Sequence, residues 1–137
     1  MSRTIDFSGV WIPVVTPFRD RRVDHDALSA LVRRLAADGV AGFVVCATTG
    51  EAPLLSDEER VAVLGTVKAS TSLPLIMGAS GTTADEVLRR IDAAARHAPT
   101  AFMVTAPPYL RPSQDALQAF FTTIADASDS ERPRDMR

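Results

Sequence analysis

The chain has 137 residues, 46% of them hydrophobic and 23% charged, with a formal net charge of −2. That is enough for one domain with a real core, and the balance excludes a basic nucleic-acid surface or an anchor to an anionic membrane. A single cysteine, Cys46, excludes an internal disulfide, and no apolar run approaches the ~20 residues needed to span a bilayer.

Val10 to Val15 is apolar and reads as a strand, closed by Thr16-Pro17-Phe18. Pro13 inside it argues for an edge position or an irregular start. Arg19 to Arg22 reads as a charged turn. Asp24-His25-Asp26 opens a helix with Leu28, Leu31, Val32 and Leu35 at i, i+3, i+4 and i+7. Asp38-Gly39 ends it, with glycine after the last periodic residue. Phe43 to Cys46 is a second strand, in which Cys46 is a small core residue. Ala47-Thr48-Thr49-Gly50-Glu51 follows it directly.

A second helix runs from Ser56 to Ser70, opened by the capping box Ser56-Asp57-Glu58-Glu59, with Val61, Leu64 and Val67 inward. Leu73 to Met77 is a third strand, and Gly78-Ala79-Ser80-Gly81-Thr82 turns out of it. A third helix starts at Thr83, with Glu86 completing a second capping box. Its stripe is Val87, Leu88, Ile91, Ala94 and Ala95. Ala101 to Thr105 is a fourth strand, and Ala106-Pro107-Pro108-Tyr109 follows. Pro112-Ser113 opens a fourth helix carrying Leu117, Phe120, Phe121 and Ile124.

Strand then helix repeats four times, with a period of roughly 30 residues, the signature of βαβ units and a parallel sheet. The strands are apolar throughout rather than alternating, as when both faces are covered. The fold class is α/β, with the ordered domain expected over residues 1–126. Residues 127–137 are polar and cannot make a buried fifth strand; they are expected to be disordered or to fray from the last helix.

Right-handed crossovers place every strand's carboxyl end on one side. Thr16-Pro17, Thr48 to Glu51, Gly78 to Thr82 and Thr105 to Tyr109 therefore share one rim, where α/β folds bind ligands. Two adjacent hydroxyls and a glycine in a tight turn suit a small carboxylate, because backbone N–H groups there can point at the ligand. The competing reading is that Thr48 and Thr49 are β-branched residues that merely end a strand.

By Tyr109 the residues resemble the dihydrodipicolinate synthase / N-acetylneuraminate lyase family of pyruvate-dependent lyases and aldolases. The resemblance rests on Val14-Val15-Thr16-Pro17-Phe18, Ala47-Thr48-Thr49-Gly50-Glu51 and Pro107-Pro108-Tyr109-Leu110-Arg111-Pro112-Ser113, in order on the four-fold frame. It covers the family's N-terminal half and implies a partial TIM (β/α)8 barrel of four βα units. It implies a Schiff base between pyruvate, a small 2-oxo acid, and a barrel lysine, with no cofactor. Thr48 and Tyr109 are then catalytic, as members of a hydroxyl relay, and Thr48, Thr49 and Gly50 bind the substrate. Tyr109 is implied to reach into a neighbouring subunit's site. Ala47 stands where the synthases most often have glycine.

A whole barrel takes about 250 residues, and the family's lysine lies on a sixth strand absent from these 137 residues. Lys68, the sequence's single lysine, sits on an outer helix where a solvated role is expected. A Schiff-base lysine must instead be desolvated or near another cation. Truncation before that lysine is thus expected to leave the chain inactive alone, working with a complementary half or as a homo-oligomer. The alternative is a non-catalytic paralogue that binds a partner or a 2-oxo acid. No nucleic-acid or membrane partner is expected. The N-terminus lacks the apolar segment of a signal peptide, which implies a cytoplasmic location.

Other motifs carry less. Gly78 to Thr82 resembles a nucleophile elbow, but the second glycine of that motif is replaced by Thr82, and Asp92 and His97 lie on a helix leading away. A phosphate loop would need a lysine there. His25 and His97 read as surface residues at helix ends. Glu51 reads as a cap for backbone amides or as a general acid. Arg111 reads as a substrate-carboxylate partner or as a solvated loop residue. No cysteine pair or histidine cluster suggests a metal.

Overall fold

The structure, a computed structural model, describes residues 5–130. Its strands are β1 (Trp11–Pro13), β2 (Phe18–Arg19), β3 (Arg22–Val23), β4 (Gly42–Val45), β5 (Leu75–Gly78) and β6 (Ala101–Met103). Its helices are α1 (His25–Ala37), α2 (Asp57–Ser70), α3 (Ala84–Ala95) and α4 (Gln114–Ser130).

β1, β4, β5 and β6 form one parallel sheet in that order, with Ile12 beside Phe43, Phe43 beside Leu75, and Met77 beside Phe102. Spatial order follows chain order. Right-handed crossovers then put every helix on the same face, which is the winding of a barrel rather than of a doubly wound sheet. The chain is four βα units of a (β/α)8 barrel. Pro13 does lie in an edge strand, where a missing N–H breaks no ladder bond.

The core lies between sheet and helices. Phe43, Val45, Leu75 and Met77 point into it from β4 and β5, and Leu28, Val32, Leu64 and Val67 meet them from α1 and α2. All are at most 2% exposed. Helix starts follow their caps: Asp24 accepts from Ala27 N–H, and Ser56 and Glu59 form the full reciprocal box. Two side-chain bonds tie α1 to α2, His25 Nδ1 to Thr66 Oγ1 and Ser29 Oγ to Ser70 Oγ, each at 2.7 Å.

Several local expectations are corrected. The charged turn is the tip of an antiparallel hairpin, β2–β3, with Asp20 and Arg21 at φ 51° and 65°. Positive φ at both central residues is the geometry that lets a two-residue turn join twisted strands. Cys46 is buried but outside the strand, at φ 55°. The second capping box is one-sided: Thr83 caps Glu86 N–H, but the Glu86 carboxylate accepts from Thr82 N–H instead. It also pairs with Arg90 at 2.6 Å, which pulls it off the cap. Ala95 is exposed rather than inward, and so is Phe121, because α3 and α4 each have helix neighbours on only part of their surface. Finally, α4 continues to Ser130, past the polar boundary at Asp126; the remainder of the expected tail lies outside the described residues.

Candidate functional site

The turn after β4 is built by its own backbone. Gly50 N–H donates to Ala47 O at 3.0 Å and Glu51 N–H to Thr48 O at 3.0 Å. A side chain at Gly50 would meet the Val14 carbonyl at 3.0 Å, a tight contact that glycine avoids where the turn lies against the end of β1. Cys46 and Glu51, both at φ 55°, bracket it. Non-glycine residues adopt that conformation only where the surroundings over-determine it, and such residues concentrate at functional sites.

Two further groups hold the turn from outside. Thr16 is 4% exposed, and its hydroxyl donates to Gly50 O at 2.7 Å. Arg60 is 6% exposed, and its Nη2 donates to Ala52 O at 2.6 Å. Burial pushes the Arg60 pKa down, and the charge of Arg90 pushes the same way. Arg60 Nε finds no hydrogen-bond acceptor among the described residues and lies 3.9 Å from Asp57. The Cys46 thiol donates to the Arg60 carbonyl at 3.8 Å, so strand end, turn and helix are locked together.

What remains free is specific. The N–H groups of Thr48 and Thr49 have no acceptor among the described residues, and both side chains are exposed. Two neighbouring amides flanked by two hydroxyls suit a carboxylate, whose oxygens accept from each. The Gly50 amide is spent on closing the turn, so Gly50 shapes the site rather than offering it a donor.

Tyr109 stands apart from this turn. It follows β6, at the far edge of the sheet from β1, with φ 63° and its side chain fully exposed. Topology puts it at the same rim as Thr48 and Thr49, but it touches neither. Arg111 is also exposed. Lys68 is exposed near the end of α2, in the outer helix layer. Glu51 makes no side-chain cap hydrogen bond, against the capping role weighed for it.

The rim between β5 and β6 is structural. Ser80 Oγ accepts from Thr105 N–H at 3.0 Å, and Ser80 O accepts from Arg90 Nη1. Arg90 also pairs with Asp57 at 2.9 Å, joining α3 to the start of α2. The His97 ring packs against Gly65 on α2 and meets Arg96, while Asp92 is exposed. Ser80, Asp92 and His97 form no hydrolytic triad.

Sequence reasoning put Thr16 on the rim without its bond to Gly50 O, and it missed Arg60 altogether. Arg60 carried a signal: it precedes Leu64 by four residues and Val67 by seven, in phase with the buried stripe of α2. A charge at such a position must find a partner inside.

Comparison with known proteins matches residues 6–132 to the dihydrodipicolinate synthetase family. The chain belongs to the dihydrodipicolinate synthetase family. It is 37% identical over 125 residues to the 4-hydroxy-tetrahydrodipicolinate synthase of Endomicrobium trichonymphae, covering 90% of this chain and 43% of that one. It is 41% identical over 127 residues to the enzyme of the same name from Phenylobacterium zucineum, covering 88% and 42%. The fold superimposes on a dihydrodipicolinate synthase from Bacillus anthracis with TM-score 0.85 and 31% identity, covering 90% of this chain and 44% of that chain. It superimposes with TM-score 0.83 and 28% identity on a prophage protein of the dihydrodipicolinic acid synthase family from E. coli K12, solved in complex with pyruvate, covering 88% and 42%. The chain thus spans less than half the length of the family members it matches.

Among the described residues no helix is long and apolar enough to cross a membrane.

Proposed function

We propose that this chain supplies the carboxylate-binding side of a pyruvate-dependent lyase site of the 4-hydroxy-tetrahydrodipicolinate synthase type. The observation that carries the reading is the pair of unspent amides at Thr48 and Thr49, beside two exposed hydroxyls at the strand-carboxyl rim. In this reading those amides hold the pyruvate carboxylate. The Thr48 hydroxyl moves protons in a relay with Tyr109, and in this reading the exposed Tyr109 ring serves a neighbouring subunit. The amine that captures the 2-oxo group comes from outside these 137 residues, because Lys68 is solvated in the helix layer. The chain then works with a complementary half or an oligomeric partner, and in the cytoplasm, where a lone thiol stays reduced.

The same exposed Lys68 favours a second reading, in which the chain holds a 2-oxo acid or a relative without catalysing. Pyruvate titrated into the isotope-labelled 137-residue chain, followed by borohydride, tests both. The expected result is a shift of the Thr48 and Thr49 amide signals with no covalent adduct. No shift at saturating pyruvate sinks the carboxylate role. A trapped adduct by mass spectrometry sinks the assignment of the amine.

A further inference from the structure

A small cavity of about 30 Å³ lies between α2, α3 and the end of β5. Arg60, Arg89, Arg90 and Asp57 bring charge to its wall, and Met77 and Ala93 bring apolar surface. Its lining comes entirely from α2, β5 and α3, which follow one another in the chain.

The charges there do not balance. Arg90 is fully used: its Nε donates to Asp57 Oδ1 at 2.9 Å, its Nη2 pairs with Glu86 at 2.6 Å, and its Nη1 donates to Ser80 O. Two carboxylates stand against three guanidiniums, which leaves one positive charge over. The shortfall falls on Arg60. Its side chain is 7% exposed, its Nε has no hydrogen-bond acceptor among the described residues, and Asp57 stands off at 3.9 Å. Burial first, and the Arg90 charge second, lower its pKa, as for a cation short of a counter-ion. Buried charges are ordinarily paired. A water in the cavity would give the Nε–H an acceptor but leave the charge uncompensated.

We propose that this cavity binds a single chloride ion beside the Arg60 guanidinium. The volume admits one or two water-sized atoms, too little for a polyatomic oxyanion, and one negative charge cancels the excess. The ion gives the buried Nε the acceptor it lacks, while Nη2 keeps its bond to Ala52 O at 2.6 Å. Asp57 lines the same cavity, and its carboxylate keeps the affinity modest. Arg89, the exposed member of the lining, offers an incoming anion its first cation.

The inference does not depend on the 2-oxo acid site, because its readout is the Arg60 Nε–H signal and not the Thr48 and Thr49 amides. Sodium chloride is titrated into the isotope-labelled 137-residue chain, against sodium gluconate at equal ionic strength. The expected result is a saturable shift of the Arg60 Nε–H signal in chloride alone. Bromide is expected to act as chloride does, and sulfate is expected to give no saturable shift. Arg89→Gln is expected to raise the chloride midpoint about two- to fivefold, the range for one exposed charge beside another. Arg33→Gln, an exposed change on α1, is expected to leave the midpoint unaltered. A shift that is absent, that grows linearly, or that gluconate matches overturns the proposal. Saturation by sulfate overturns it as well, because a polyatomic ion does not fit the cavity. So does the same midpoint change, or none, in both variants, which marks diffuse attraction to the surface.

Discussion

Cys46 shows how one residue joins strand, turn and helix. Burial pushes its thiol pKa from 9.0 up to about 11, against a smaller downward pull from Arg60. The folded pKa lies above the unfolded one, so the stabilisation is complete below pH 9 and is lost as pH rises toward 11. In that window the unfolded chain ionises while the folded one does not, and stability falls by roughly 1.4 kcal/mol per pH unit. Urea melts at stepped pH are expected to show this slope, and Cys46→Ala is expected to flatten it. Gly78 makes a steric case. A Cβ there would sit 2.2 Å from the Cys46 carbonyl, a backbone atom that cannot swing aside. Gly78→Ala is expected to lower stability by about 2–3 kcal/mol, measured by chemical denaturation; a neutral result would mean the rim between β4 and β5 is looser than described.

At the scale of elements, the turn after β4 depends on β1 and α2 more than on its own sequence. Thr16→Val keeps the shape of the side chain but removes the donor to the buried Gly50 carbonyl. The expected cost is about 1–3 kcal/mol, the penalty of an unsatisfied buried group, with Thr16→Ser close to unaltered in the same melt. The helices were legible because periodicity and caps agreed: Ser56 and Glu59 close the box the sequence spelled out, and Leu28 and Val32 are buried as spaced. The β2–β3 hairpin was not, since Asp20-Arg21 carries none of the glycine that usually marks such a turn. Glu86 misled for a different reason. Its spacing fits a reciprocal cap, yet Arg90 one turn on competes for the same carboxylate.

Across the whole molecule, stability rests on one layer of apolar contacts between the sheet and its helices. Phe43, fully buried on an inner strand, lies within that layer. Phe43→Ala is expected to cost about 3–5 kcal/mol, a large share of the 5–15 kcal/mol typical of a domain. Near-ultraviolet circular dichroism at 37 °C is expected to report lost packing; a native spectrum would show that the layer is not the main support. The order of elements, the parallel sheet and the pairing of Thr48 with Thr49 at a strand's end were readable in the residues, because they depend on interactions between near neighbours in the chain. Which amides stay free, that Gly50's is spent, and that Arg60 turns inward to hold Ala52 were settled only in three dimensions. Those facts depend on atoms far apart in sequence competing for the same donors and the same buried space.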